Sequence, residues 1–233
     1  MDYRLYRAIA DLAARHTGFA HAVSRLESYG VVLYGLATVA LWLLARPGGS
    51  RRWKLASVSA LVSSGLALLA NQVIADLWRR PRPYETHPGA YHLTSSRDPS
   101  FPSDHASAVL AIAFAVVAFD ARIGLGFLVG AVAISLGRLF VGAHYPGDLL
   151  ASGVVALTSA ALVVSSGRAF VETVVRFVER AVDPVVALVP RRGRTLGSTI
   201  AAADTRRAVL AAVVTLTLGT LALAILLLEQ TFD

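Results

Sequence analysis

The stretch Phe101-Pro102-Ser103-Asp104-His105 joins a polar, Arg- and Pro-rich segment to an apolar run over 106–119. Ser and Asp just before an apolar run are typical of a helix N-terminus, where their side chains can cap free backbone N–H groups. Such an end also attracts anions, because the unpaired N–H groups and the helix dipole both point toward the ligand. The stretch therefore predicts a helix start with His105 in its first turn, beside any anion bound there. A capped helix with an incidental histidine is the alternative.

The composition is that of a membrane protein. Of the 233 residues, 55% are hydrophobic and 16% are charged, and the mean hydropathy is +0.60. A soluble domain carries about 25% charged residues. The chain has no cysteine, which excludes disulfides and thiolate metal sites. The formal net charge of +7 is attributed to positively charged inner loops and contact with anionic lipid, not to nucleic-acid binding.

Six apolar runs predict six transmembrane helices, since a span needs about 20 apolar residues. The third run is shorter than this, so its span has to include residues from 101–105 and Asp120. The predicted fold class is an all-α, polytopic membrane helical bundle with amphipathic interfacial helices beside the spans. The six runs are residues 29–45, 55–75, 106–119, 123–143, 149–167 and 208–228.

Amphipathic patterns flank the apolar runs. Leu5, Ile9 and Leu12 share one helical face near the N-terminus, which predicts an interfacial helix, with a coiled-coil partner helix as the alternative. Phe170 and Phe177 share a face after the fifth run, which predicts a second interfacial helix. The chain thus divides into an amphipathic N-terminal segment (1–27), a membrane-embedded core (28–167), an amphipathic interfacial helix (168–190), a basic linker (191–207) and an extra C-terminal transmembrane helix (208–233).

The distribution of Lys and Arg indicates the orientation in the membrane. The first, third and fifth connections between runs carry more Lys and Arg than the N-terminal segment and the other two connections together. The positive-inside rule then places those three connections in the cytoplasm. The Arg-rich second connection, which leads into residues 101–105, is expected outside the cytoplasm.

Three segments with ionisable side chains end on this same predicted side, at residues 79–83, 102–105 and 138–148. Ionisable residues at membrane depth are costly and are treated as functional, and Arg138 interrupts an otherwise uncharged run. Arginine presents a planar fork of donors that matches phosphate oxygens. Three arginines on this side could neutralise a phosphate dianion.

Two histidines complete a set suited to phosphoryl transfer. Gly142 can end the fourth span just before His144, and Pro146 suits the first position of the next helix, which places Asp148 in its first turn. A carboxylate there can hold one ring nitrogen of His144 and leave the other free as a nucleophile. His105 is then free for general acid work. With no cysteine and no carboxylate cluster, the set favours phosphoryl transfer without a metal or other cofactor.

Three short motifs resemble those of the type 2 phosphatidic acid phosphatase superfamily of membrane lipid phosphatases. The patterns of that family are Lys-x6-Arg-Pro, Pro-Ser-Gly-His and Ser-Arg-x5-His-x3-Asp. This chain departs from them at three positions, with Ala75 for the lysine, Asp104 for the glycine and Gly137 for the serine. The matching residues are Arg82-Pro83, Pro102-Ser103-Asp104-His105 and Arg138-x5-His144-x3-Asp148.

The resemblance implies a role for each matching residue. His144 would form a phosphohistidine, Asp148 would orient it, and His105 would protonate the leaving phosphate and later activate water. Arg79 or Arg80 is a candidate replacement for the family lysine. Asp104 is expected beside the phosphate site, with its side chain turned toward an arginine or the helix start. The predicted phosphate-binding set is Arg82, Ser103, Arg138, Asp104 and Arg80.

Within the superfamily, the chain is most similar to the bacitracin-resistance group of undecaprenyl-diphosphate phosphatases, on its Phe-Pro-Ser-Asp-His form, its His144-Tyr145-Pro146 form and its amphipathic start. This implies a bacterial plasma-membrane enzyme that hydrolyses the terminal phosphate of undecaprenyl or another polyprenyl diphosphate and recycles the carrier for cell-wall synthesis. The expected partners are that lipid substrate and membrane lipids, with no nucleic acid.

Two alternatives remain open at this point. The same site would serve a phosphatase of phosphatidic acid, phosphatidylglycerol phosphate or another polyprenyl phosphate. A non-catalytic lipid-binding or transport protein on the same scaffold is the other, although the complete set of His105, His144 and Asp148 argues against it.

Overall fold

The structure, a computed structural model, describes residues 2–44 and 51–187, and all regular elements in these ranges are helices. The predicted all-α class is confirmed. The predicted basic linker at 191–207 and the sixth span at 208–228 lie outside the described residues. The helices are α1 (Asp2–Arg15), α2 (Thr17–Leu44), α3 (Arg51–Leu77), α4 (Pro83–Thr86), α5 (Asp104–Phe119), α6 (Ala121–Phe140), α7 (Pro146–Ser165) and α8 (Arg168–Ala187).

Five of the predicted spans correspond to α2, α3, α5, α6 and α7. All but α5 are long and apolar enough to cross a membrane. Helix α5 has 16 residues, which at about 1.5 Å per residue is shorter than the roughly 30 Å hydrocarbon core. It lies at the centre of the bundle, in contact with α3, α6 and α7. Its neighbours rather than lipid therefore surround most of its length.

Small side chains allow this central packing. Ala106, Ala111, Ala113 and Ala115 on α5 are fully buried, and small residues let neighbouring membrane helices approach closely. The outer helices instead expose rows of large apolar side chains at helical spacing, which is favourable only where lipid covers them. Together these patterns define a multi-pass membrane protein. The exposed row on α2 includes Val32, Leu36, Val39 and Leu43.

The predicted boundary between the N-terminal segment (1–27) and the first span does not coincide with a helix end. The break between α1 and α2 falls at His16, and α2 begins at Thr17 and continues without interruption into the first apolar run. Glu27 therefore lies on the same helix as the first span and is only 2% exposed. A carboxylate that the sequence placed in an interfacial segment is thus inside the bundle.

Helix α1 also uses a face that the sequence did not single out. Tyr6, Ala10 and Ala13 are buried against the protein, whereas Leu5 and Leu12 of the predicted apolar stripe are exposed. The helix contacts α2, α6 and α7. It is therefore docked on the bundle by its tyrosine and alanine face, and the leucine stripe is left for lipid.

Helix α8 packs on α3 and α7 at the other end of the spans. Val171 and Val175 are buried there, while Phe170 is exposed. Lys54 of α3, itself buried, forms an ion pair with Glu179 at 3.2 Å. This pair anchors α8 to the bundle on the side away from residues 101–105.

Candidate active site

The three motif segments meet at one end of the bundle. The backbone N–H of Ser103, at the start of α5, donates to Ser152 Oγ of α7 at 2.8 Å. In the loop between α3 and α5, the backbone N–H of Ser100 donates to the carbonyl of Arg80 at 2.8 Å. These contacts fix the loop against the first turns of α5 and α7, so that residues far apart in sequence share one site.

Two local sequence features set the helix ends here, as predicted. Gly142 has φ of 74°, and a Cβ at this position would lie 2.5 Å from the carbonyl oxygen of Tyr91, so only glycine fits. Helix α7 then starts at Pro146. Asp148 occupies the third position of α7, where its Oδ2 accepts a hydrogen bond from the backbone N–H of Tyr145 at 2.9 Å. The chain thereby turns sharply around His144.

The partners of His144 specify its tautomer. Its Nδ1 lies 2.7 Å from the carbonyl oxygen of Ser100, and because a carbonyl only accepts, Nδ1 carries the hydrogen. Its Nε2 lies 3.4 Å from Nη1 of Arg82, and because a guanidinium only donates, Nε2 carries the lone pair. The side chain is thus arranged as a neutral imidazole with Nε2 as the available nucleophile.

Burial lowers the pKa of His144; Asp148 opposes this, while Arg138 and Arg82 add to it. The residue is 2% exposed, so its charged form has little access to water. The neutral, nucleophilic form is therefore favoured at neutral pH.

Asp148 supports His144 less directly than the sequence suggested. Its Oδ2 is 3.7 Å from Nδ1 of His144, which is too long for a hydrogen bond. The same oxygen accepts a hydrogen bond from Ser100 Oγ, and the carbonyl of Ser100 accepts from His144. Ser100 therefore connects the carboxylate to the imidazole.

Arg80 has partners other than the predicted phosphate. Its Nη1 donates to Asp148 Oδ1 at 2.6 Å and its Nη2 to Asp2 Oδ2 at 2.7 Å. Its guanidinium also lies over the ring of Tyr145, 4.0 Å from the centroid. Arg80 therefore stabilises Asp148 through this ion pair, and its predicted contact with the transferred phosphate stays a prediction.

The N-terminus of α1 belongs to the same network. Asp2 accepts a hydrogen bond from the backbone N–H of Gly147 at 2.9 Å in addition to its bond from Arg80. Tyr3 stacks on His87 at 3.7 Å between ring centroids, and Tyr6 packs on Tyr145 at 5.6 Å. Helix α1 is thereby fastened to the loops around the site.

A second set of buried polar groups in the site has incomplete hydrogen bonding. Arg82 is 5% exposed and donates to the carbonyls of Asp98 and Ala143 at 2.9 and 3.1 Å. Ser103 Oγ and Arg138 Nε are buried without a hydrogen-bond partner among residues 2–44 and 51–187. We call these two the open groups. Because an unpaired buried polar group is costly, these two atoms, which belong to motif residues, are candidates for hydrogen bonds to a bound ligand.

Asp104 turns away from these groups. Its Oδ1 accepts a hydrogen bond from Asn71 of α3 at 2.7 Å, and Asn71 also bonds Ser107. The expectation that the side chain of Asp104 would point to an arginine or to the helix start is therefore replaced by an amide partner on the neighbouring helix. His105, in the same turn, is 39% exposed at the side chain.

Three residues of the site were not predicted from the sequence. Glu27 pairs with Arg138 at 2.6 Å, and the available signal was a lone carboxylate in a helix that is otherwise apolar beyond it. Ser100 and Asp2 carried no signal, because a serine in a polar loop and an acidic residue near a terminus are common. Their roles depend on contacts that only the folded chain creates.

Known proteins match the sequence of this chain over the segment that contains the three motifs. Residues 56–171 match the family model of the PAP2 superfamily. Undecaprenyl-diphosphatase BcrC of Bacillus subtilis (strain 168) is 28% identical over 186 residues, covering 78% of this chain and 94% of that protein. Bacitracin transport permease protein BcrC of Bacillus licheniformis is 28% identical over 159 residues, covering 68% and 76%.

A third relative has a different named substrate. Decaprenylphosphoryl-5-phosphoribose phosphatase of Mycobacterium tuberculosis (strain CDC 1551 / Oshkosh) is 31% identical over 145 residues, covering 61% of this chain and 77% of that protein. The family match spans every motif residue from Arg82 to Asp148, and these are the residues that the fold brings together. The chain therefore belongs to the PAP2 superfamily.

Proposed function

We propose that the protein is a membrane lipid phosphatase that hydrolyses the terminal phosphate of undecaprenyl diphosphate or another polyprenyl diphosphate. The observation that carries this proposal is the state of His144, whose unprotonated Nε2 lies 3.4 Å from Nη1 of Arg82. Arg138 is near enough to lower the pKa of this imidazole as Arg82 does, and Ser103 and Arg138 carry the open groups. A nucleophile and unfilled donors at one place are what a phosphoryl group requires.

In the first step, Nε2 of His144 attacks the terminal phosphorus, and the bond between that phosphorus and the bridging oxygen breaks. His105 gives a proton to the leaving polyprenyl monophosphate. The hydrogen bond from Nδ1 of His144 to Ser100 and the nearby carboxylate of Asp148 stabilise the positive charge that develops on the ring. The product of this step is a phosphohistidine.

In the second step, His105 removes a proton from water, which attacks the phosphohistidine. The bond between phosphorus and Nε2 of His144 breaks, and inorganic phosphate and the neutral imidazole are released. Arg82 and the open groups of Ser103 and Arg138 bind the equatorial oxygens in both steps. Their donors are held in place before substrate arrives, which lowers the cost of stabilising the transition state.

A polyprenyl diphosphate is favoured over other lipids by the relatives. The Bacillus subtilis diphosphatase covers most of this chain and is aligned over nearly its whole length. The mycobacterial relative is named for a decaprenylphosphoryl substrate, so a phosphatase of another polyprenyl phosphate is the second candidate. In both names the lipid is a polyprenyl chain.

The substrate panel that tests this proposal contains undecaprenyl diphosphate, decaprenylphosphoryl-5-phosphoribose, phosphatidic acid and phosphatidylglycerol phosphate. Purified protein in detergent should release phosphate fastest from the undecaprenyl diphosphate, and a His144→Ala variant should release none. Faster release from a glycerolipid would reject the polyprenyl assignment. Absence of release from all four, with the lipids still bound, would favour the non-catalytic alternative.

The proposed site faces the extracytoplasmic side of the bacterial plasma membrane, on the basis of the Lys and Arg distribution. The chain is free of cysteine, so single cysteines can report the orientation. Ser95→Cys, in the exposed loop near the site, should react in intact cells with a membrane-impermeant thiol reagent. Ser166→Cys, exposed at the opposite end of α7, should react only after lysis, and the reverse pattern would invert the topology.

A further inference from the structure

Glu27 is a buried carboxylate at the phosphate side of the site, and the reaction steps above do not use it. Its Oε2 accepts a hydrogen bond from Nη1 of Arg138 at 2.6 Å and lies 3.9 Å from Nε2 of His105. The residue is 2% exposed. Taking a carboxylate out of water is costly unless a partner matches its charge, so its position depends on Arg138.

The residue before Arg138 makes room for this carboxylate. A Cβ on Gly137 would lie 3.2 Å from Cβ of Glu27 and 3.4 Å from Cγ1 of Val23. Cβ of Glu27 is fixed to the backbone of α2, so a side chain at residue 137 would have to shift α2 by a few tenths of an ångström. The glycine that replaces the serine of the superfamily pattern therefore allows the close approach that brings Glu27 to Arg138.

Arg82 and Arg138 are held in different ways. Arg82 donates to two neutral carbonyl oxygens, from Asp98 and Ala143. Arg138 donates through Nη1 to a carboxylate, while its Nε is one of the open groups. A charged acceptor forms a stronger and more directional bond than a neutral one. The carboxylate thus fixes one end of the guanidinium and leaves Nε for another acceptor.

We propose that Glu27 is a positioning residue of the active site, which holds Arg138 by Nη1 so that Nε is left for a phosphate oxygen, and that Gly137 is required to admit it. The proposal rests on phosphoryl transfer at this site as described above. Glu27 also lies within ion-pair distance of His105, so it compensates the charge of that imidazole whenever it carries its proton.

The test measures binding of orthovanadate, a phosphate analogue, by calorimetry, together with kcat and KM on undecaprenyl diphosphate. Glu27→Ala should raise the vanadate Kd at least about tenfold, because coupled groups in contact lose their joint effect when one is removed. Glu27→Gln, which keeps an acceptor of the same size, should be intermediate. If Glu27→Ala does not fold, the Gln variant gives the same comparison.

Double variants separate positioning from independent effects. Glu27→Ala combined with Arg138→Ala should bind vanadate no worse than Arg138→Ala alone. Gly137→Ser should weaken binding by itself but have little further effect in the Glu27→Ala background, where Cβ of residue 27 is still crowded but no carboxylate is left to be moved away from Arg138. Additive losses in both pairs would overturn the proposal.

A matched control uses the ion pair between α3 and α8, away from the site. Glu179→Ala removes one partner of Lys54 and should leave the vanadate Kd unchanged. If Glu27 has a purely structural role, Glu27→Ala and Glu27→Gln should lower thermal stability without changing the vanadate Kd. That result would reject the proposal. Failure of the wild-type protein to hydrolyse the lipid would reject the proposed function. The role of Glu27 would still be tested, because vanadate binding does not require turnover.

Discussion

The two halves of the site differ in how many of their buried polar groups have hydrogen-bond partners. The nucleophile half consists of His144, Asp148, Ser100 and Arg80, and its side chains are joined by short hydrogen bonds. The phosphate half consists of Arg82, Ser103, Arg138 and Glu27, and there the open groups of Ser103 and Arg138 have no partner among residues 2–44 and 51–187. The difference indicates a nucleophile that is fully prepared by the fold and a phosphate site that the substrate finishes.

This difference has an energetic consequence. Loss of a side chain from the nucleophile half leaves a buried charge or donor without its partner, which costs stability as well as activity. Loss of the Ser103 hydroxyl removes no hydrogen bond from the protein, so it should affect binding and turnover alone. Arg138 differs, because its loss would also leave the buried Glu27 carboxylate without its partner. Serine variants in the two halves are therefore expected to separate by thermal stability.

The largest expected effect comes from the two histidines. His144→Ala should lower turnover by more than about 10⁴-fold on every substrate, because no other group can attack phosphorus. His105→Ala should lower turnover of the natural lipid by about 10²–10⁴-fold. On an activated aryl phosphate, whose leaving group needs no proton, this variant should still release a rapid burst of the aryl alcohol, followed by slow turnover because water activation is lost. The burst of aryl alcohol and the steady release of phosphate measure the two steps. A burst in the His144 variant, or none in the His105 variant, would contradict the division of roles.

Ser100 and Ser103, which are both fully buried, test the comparison between the two halves directly. Ser103→Ala removes an open group and should lower kcat/KM by about 10²-fold while leaving Tm unchanged. Ser100→Ala removes a hydrogen bond to the buried Asp148 carboxylate and should lower Tm by several degrees. Differential scanning calorimetry in detergent gives Tm for both. A drop of Tm in the Ser103 variant as large as in the Ser100 variant would show that the two halves do not differ.

The acid limb of the pH–rate profile reports on the nucleophile half. Because burial lowers the pKa of His144, its reactive neutral form persists below the ordinary histidine value of about 6.5. As pH falls, kcat/KM should therefore stay near its neutral-pH level through about 6.5 and decline only below it. The profile is measured on two substrates, with circular dichroism at each pH as the control for folding. A midpoint at or above the ordinary value would contradict the environment assigned to His144.

The smallest effect is expected at the edge of the nucleophile half. Asp2→Asn removes a charge from a partly exposed pair with Arg80, and such pairs contribute little, so activity should fall only about two- to fivefold. Asp11→Asn breaks the exposed pair with Arg7 on the same helix and should have no effect. A loss in the Asp2 variant as large as that of a histidine variant would mean that α1 takes part in the chemistry.

The sequence was sufficient for features that depend on neighbouring residues. The turn at Gly142 and the start of α7 at Pro146 follow from local backbone preferences, and the apolar runs follow from the length of a span. The pairing of Glu27 with Arg138 joins residues 111 positions apart, and no spacing rule connects them. The same is true of Asp2 and Arg80, 78 positions apart.

Hydrophobic pattern also gave an incomplete account of α1 and α2. The leucine stripe of α1 was predictable, but its small and aromatic face, including Tyr6 and Ala10, is the one that packs on the protein. Glu27 fell in an amphipathic pattern and was assigned to the interface. Only the uninterrupted course of α2 from Thr17 places this carboxylate in the site.

The most direct test of the central claim is to trap the covalent intermediate. His105→Ala should form the intermediate from an activated aryl phosphate, since no proton is needed by the leaving group, and should hydrolyse it slowly, since water activation is lost. Rapid quenching followed by mass spectrometry of peptides should then find phosphate on His144, acid-labile and alkali-stable. Phosphate on Ser103, or undiminished turnover with His144 unmodified, would contradict the account.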